Sequence, residues 1–220
     1  MDKQTLAKYL DFANHHAEAT ENDIKDLCQK VKKYGFHSAF VNPCHVALAK
    51  QLIGNSAAVG TVVAFPLGQE TKDIKTLQAI EAINKGADEL DVSANIGLFK
   101  AHKQQLFLDE LKAIVDVVKN KKNKVLVKFI IETGFLNENE IKEISHLVLE
   151  SKADFVKTSS GLGPRGASLK DVEIIKSVVG DKIKIKAAGG VDTLKEALDF
   201  IKQGVSRIGT SKADKIIDEN

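Results

Sequence analysis

The chain has 220 residues, 43% hydrophobic and 28% charged, the make-up of an ordinary globular protein and not of a disordered or low-complexity one. Its 32 Lys and Arg against 30 Asp and Glu give a formal net charge of +2, too small to argue for nucleic acid, and no basic cluster is interleaved with aromatic residues as a base-stacking surface requires. Cys28 and Cys44 make no disulfide framework, no apolar run reaches the roughly 18 residues of a membrane span, and the start MDKQTLAKYLD lacks the apolar core of a signal peptide, so the expected compartment is the cytosol.

Short β-prone runs alternate with amphipathic, charge-rich segments along the whole chain, the pattern of βα units feeding a parallel sheet. Residues 9–12 are the first strand candidate, followed by a helix entered at Thr20 with Glu21 and Asp23 in its first turn. Strands at 38–41 and 59–65 come next, the latter stopped by Pro66 and Gly68, and Thr71 opens a helix that runs toward Asn84 and ends near Gly86. Residues 89–94 and 125–131 are strands four and five, and between them Leu106, Leu111, Ile114, Val115 and Val118 recur at helical spacing. The basic run from Lys119 to Lys124 reads as the solvated end of that helix. Asn137 with Glu140 is a capping pattern for a helix ending near Glu150. Strands six, seven and eight are expected at 155–157, 183–187 and 207–210. Eight such units close a TIM (β/α)8 barrel, so residues 1–220 are expected to form one α/β barrel domain.

In such a barrel the loops after the strands build the site, so residues at strand ends carry the chemistry. Lys157 ends the apolar run in ADFVKTSSG, and Lys186 ends the run in KIKIKAAGG. A lysine of ordinary pKa is about 0.04% neutral at pH 7, so a Schiff-base lysine needs burial or a neighbouring cation to react. Two lysines on one barrel rim supply that neighbour. On strand four, period-two alternation sets Glu89 and Asp91 on one face and Leu90 and Val92 on the other. With the apolar pair outward, both carboxylates point into the barrel, where Lys128, Lys184 and Lys186 are expected to complete an internal lattice of charges. Gly189 and Gly190 after strand seven, and Gly209, Thr210 and Ser211 after strand eight, stand where barrels of this kind bind phosphate, with Gly161 and Gly163 extending the cradle. The six histidines show no metal-ligand spacing, no strand-GxGxxG-helix unit announces a dinucleotide, and no Ser or Cys sits in a nucleophile elbow, so neither metal nor cofactor is expected.

Over nearly its whole length the chain resembles deoxyribose-phosphate aldolase, a class I aldolase family with a TIM-barrel fold. The resemblance is carried by Phe40-Val41-Asn42-Pro43, Phe65-Pro66-Leu67-Gly68, Ala87 to Asp91, Ile130 to Thr133, Ala153 to Gly161, Lys186 to Gly190, and Arg207 to Ser211. It implies Lys157 as the Schiff-base lysine, Lys186 as the second lysine, Asp91 as the proton relay, and Asp11, Gly161, Gly189, Gly190, Gly209 and Ser211 among the substrate- and phosphate-binding groups. The implied substrates are 2-deoxyribose 5-phosphate in one direction, glyceraldehyde 3-phosphate and acetaldehyde in the other, in a possible homodimer. The chain departs from the family pattern in four places. Phe12 to Ala17 replaces His-Thr-Leu-Leu-Lys-Pro after the retained Asp11, Asp192 replaces an arginine, Ser93-Ala94 replaces a bulkier apolar pair, and Lys212-Ala213 replaces small residues. Lys212 is expected to restore the positive charge that Asp192 removes. Two other readings stay open: a related lysine-dependent aldolase or isomerase for another small sugar phosphate, and a non-catalytic barrel that binds phosphometabolites.

Overall fold

A computed structural model describes residues 1–220. Eight parallel strands, β1 (Leu10–Asn14), β2 (Ser38–Val41), β3 (Ala58–Val63), β4 (Glu89–Ser93), β5 (Leu126–Ile130), β6 (Phe155–Lys157), β7 (Lys184–Ala188) and β8 (Arg207–Thr210), pair in sequence order. β8 pairs back to β1 through Leu10 with Ile208 and Asp11 with Gly209, closing the barrel and leaving no sheet edge.

The helices form where caps and apolar periodicity agree. Glu21–Tyr34 starts with a complete capping box between Thr20 and Asp23, buries Ile24, Leu27, Cys28 and Val31 at helical spacing, and stops at Gly35 with φ of 70°. Thr71 caps Lys72–Asn84. Asn137 and Glu140 form the second expected capping box, on Glu138–Glu150. The Gln104–Lys121 helix buries Phe107, Leu108, Leu111, Ile114, Val115 and Val118, while Leu106 is 56% exposed. Leu106 therefore belongs to the solvent face: the apolar stripe begins one residue later than expected. Lys119 also leaves its expected solvated role, since its ammonium bonds Asp154 at 2.7 Å and the Val125 carbonyl at 2.9 Å.

The helices and outward strand residues make one continuous apolar layer, including Leu90, Val92, Val127, Phe129 and Ile185. The barrel interior is different. Phe40 fills its centre because residue 60 is glycine: a Cβ there would lie 2.2 Å from the ring. Against that ring lie two lysine ammonium groups, Lys186 at 3.7 Å and Lys128 at 4.7 Å from its centre.

Candidate active site

Register brings the charged side chains together. Asp91 of β4 lies beside Lys128 of β5, Ile130 of β5 beside Lys157 of β6, and Lys157 beside Lys186 of β7. Paired residues of parallel strands face the same way, so positions far apart in the chain meet inside the barrel. Lys157 Nζ and Lys186 Nζ both donate to Oδ2 of Asp91, at 2.7 and 2.9 Å. Lys128 Nζ bonds Glu89 Oε2 at 2.5 Å and lies 3.2 Å from Asp91 Oδ1. Below them Lys186 reaches Asp11 Oδ2 at 2.6 Å, and Asp11 Oδ1 accepts from the Ser38 hydroxyl at 2.7 Å. All of these charged groups are buried, and buried charges persist only when paired in this way.

The electrostatics give the groups different tasks. Burial pushes the Lys157 ammonium down to about 8; Asp91 opposes that, and the charges of Lys186 and Lys128 reinforce it. The cation expected beside Lys157 is present, but desolvation is the larger cause. Burial alone would raise the Asp91 carboxyl, yet Lys128, Lys157 and Lys186 together hold it well below the usual carboxylate range. Burial opposes the charge on Lys128 as well, and Asp91, Glu89 and Asp11 overcome it, keeping that ammonium protonated. Lys184, expected in the lattice, is outside it. Its parity is inward, but it begins β7 at the opposite end of the barrel, where it is exposed with its ammonium 5.7 Å from the Phe155 ring.

A cavity of about 200 Å³ opens above the lattice and is lined by Asp91, Lys157, Lys186, Gly161, Gly189, Gly190, Gly209 and Ser211, among others. The backbone N–H groups of Gly161, Gly189, Gly190 and Ser211 donate to nothing within the protein, so free donors ring one end of it. Gly209 has a second task. A Cβ there would lie 2.9 Å from Cε of Lys186, so glycine also leaves that lysine its path to Asp91. Asp11, expected among the substrate-binding groups, does not line the cavity; it lies beneath, holding Lys186. Asp192 does line the cavity, whereas Lys212 does not, its amide bonding Thr210 Oγ1 at 2.9 Å. The positive charge expected of Lys212 thus does not stand in the cavity wall. The N–H groups of Asp192 and Thr193 are both taken by Glu196 Oε2.

One wall residue escaped the sequence reading. His15 lines the cavity, packed against Phe65 with centroids 5.4 Å apart and against Phe40 at 6.4 Å, with its Nδ1 buried and unpartnered. Burial and then the Lys157 charge push its imidazole down to about 3, so it is neutral. The period-two alternation that points Asp11 inward, carried through Ala13, reaches His15 and would have found it.

Comparison with known proteins places this chain in a family. The chain matches the DeoC/LacD family aldolase model over residues 1–211. It is 43% identical over 221 residues to a deoxyribose-phosphate aldolase of Caldicellulosiruptor saccharolyticus, with all of both chains covered. Among solved structures it is similar to the aldolase QR15, with 38% identity, a TM-score of 0.92, and 97% of this chain and 95% of that one covered. It is also similar to a tetrameric deoxyribose phosphate aldolase of Aeropyrum pernix, with 28% identity, a TM-score of 0.87, and 99% and 91% covered.

Proposed function

The chain belongs to the DeoC/LacD family of aldolases, and from that premise we propose that it reversibly cleaves 2-deoxy-D-ribose 5-phosphate to D-glyceraldehyde 3-phosphate and acetaldehyde through a Schiff base on Lys157. The observation that carries this reading is the sharing of one oxygen, Asp91 Oδ2, by the buried ammonium groups of Lys157 and Lys186. With a pKa of about 8, roughly a tenth of Lys157 is the free amine at pH 7. In the synthetic direction that amine adds to acetaldehyde, water leaves, and the protonated imine draws electrons so that a methyl proton departs and an enamine forms. The enamine carbon attacks the phosphorylated aldehyde, and water then releases the product.

Protons must move in each step, and the two partners of Lys157 differ in how they serve. A carboxyl held as far down as Asp91 does not store a proton between steps; it fixes the line along which one passes. Lys186, held by Asp11 and Asp91 and with its ammonium 3.7 Å from the centre of the Phe40 ring, is the donor at the end of that line. The free amides of Gly161, Gly189, Gly190 and Ser211 receive the phosphate. Neutral His15 offers its free ring nitrogen to a sugar hydroxyl.

The reading includes a cytosolic setting and a homodimer. No helix is long and apolar enough to cross a membrane. Sedimentation velocity checks the assembly, and a tetramer or a monomer would replace the dimer. The central test is chemical. Borohydride added with acetaldehyde should leave an ethyl group on Lys157, located by peptide mass, and a chelator should change nothing. Ethylation elsewhere, or none, overturns the reading.

A further inference from the structure

A second cavity, of about 360 Å³, opens on the same rim, and Ser160 and Leu162 line both. Its floor holds Ser93 and Ile130, paired in register with each other, and Ile130 is paired in turn with Lys157. It therefore starts one strand away from Lys157, on the side opposite the glycine loops that follow β7 and β8.

Two buried polar atoms in its wall have no partner in the protein: Oε1 of Glu132, a residue 5% exposed, and Oγ of Ser93. The other oxygen of Glu132 accepts the Ser160 N–H at 3.0 Å, so the loop between the two cavities is tied to this carboxylate. Glu132 is held in the left-handed region, with φ of 46°, a conformation that persists in a non-glycine residue only when its surroundings enforce it. A Cβ on residue 163 would come within 2.5 Å of Glu132 Oε1, so Gly163 leaves the carboxylate its place. Apolar groups make most of the remainder, with Ala94 inside and Leu67, Phe135 and Leu162 standing exposed at the rim. The one lysine in the wall, Lys100, is held by both oxygens of Glu140 at 2.7 Å.

We propose that this cavity is a donor-chain subsite: it receives the tail of an uncharged carbonyl compound longer than acetaldehyde, ending in a hydroxyl, whose carbonyl forms the imine on Lys157. The inference rests on the aldolase reading and extends its substrate class. The terminal hydroxyl donates to Glu132 Oε1, the methylenes lie against Ala94 and Ile130, and Ser93 Oγ serves a second polar group. A phosphate does not fit here, because the free oxygen belongs to a carboxylate and the only wall cation is engaged. The covalent step balances as it does for acetaldehyde: the neutral amine adds to the carbonyl, one water leaves, and the imine carbon carries the chain toward the second cavity.

Cyanoborohydride trapping on the whole protein tests this, with acetaldehyde, pentan-2-one and 5-hydroxypentan-2-one competed in turn and Lys157 read by peptide mass. Both ketones should modify Lys157, the hydroxyketone at least about fivefold faster, the preference that one hydrogen bond supplies. Ala94→Leu should lower both ketone rates about tenfold or more relative to acetaldehyde by filling the cavity. If wild-type Lys157 takes acetaldehyde but neither ketone, or takes both ketones at equal rates, the subsite is absent. That wild-type comparison stands whatever Ala94→Leu does to folding. If acetaldehyde itself is not trapped, the aldolase reading has failed instead.

Discussion

Lys157 and Asp91 are 66 positions apart in the chain, yet Nζ of one donates to Oδ2 of the other at 2.7 Å across the inside of the barrel. The contact works against the need for a neutral amine, because the carboxylate favours the ammonium. Burial and two further lysines outweigh it, leaving Lys157 near 8. The carboxylate thus keeps the amine aimed without locking on its proton.

A pH dependence follows. The reactive form is the deprotonated one, so kcat/KM should rise with pH, by about tenfold per unit well below 8, and level off above it. His15, neutral from about 3 upward, should add no limb near 6.5. A rate profile flat from pH 6 to 8, or one that falls with rising pH, contradicts the assignment. Lys157→Met should lower kcat by at least about 10⁴-fold and abolish borohydride trapping.

Removing the second lysine should move the profile in a definite direction. Lys186 lowers the Lys157 pKa through its charge, so in Lys186→Met the rising limb shifts to higher pH and kcat falls about 10²- to 10⁴-fold through loss of the proton donor. Titrating imine formation separately from turnover distinguishes the two effects. An unshifted limb would mean that burial and Lys128 lower the pKa without help from Lys186.

Asp91→Asn should act in the opposite sense on the amine and strongly on stability. Without the carboxylate the Lys157 pKa drops, while three buried ammonium groups lose a shared partner, a loss of about 3–5 kcal/mol measurable by urea unfolding. In the wild type the folded-state pKa of Asp91 lies below its unfolded value. Its stabilisation is therefore complete above about pH 4 and lost as pH falls through the folded pKa. Unfolding midpoints that decline already between pH 7 and 5 would point to other groups.

Asp192 stands in the cavity wall and Lys212 does not. Asp192→Asn should lower KM for deoxyribose phosphate a few-fold at low ionic strength with kcat unchanged, and the gain should shrink as salt screens it. Equal KM values for the two proteins would place the carboxylate away from the phosphate.

Residue order alone determined the eight-fold alternation, the caps at Thr20, Thr71 and Asn137, and the inward parity of Asp91 and Lys128, because these rest on local periodicity and hydrogen bonding between near neighbours. Depth and company were decided only by the closed barrel. The same parity that sets Lys186 inside sets Lys184 inside, and only its place at the far end of β7 sends Lys184 to water. Asp11 was legible as a functional position, but its place beneath Lys186 rather than in the cavity depends on how β1, β2, β7 and β8 meet. Glu132 continues the inward parity of Lys128 and Ile130, but parity stops fixing a side chain's direction where the backbone leaves the strand, and Glu132 is left-handed. Its free carboxylate oxygen emerges only when the loops after β5 and β6 are folded against each other.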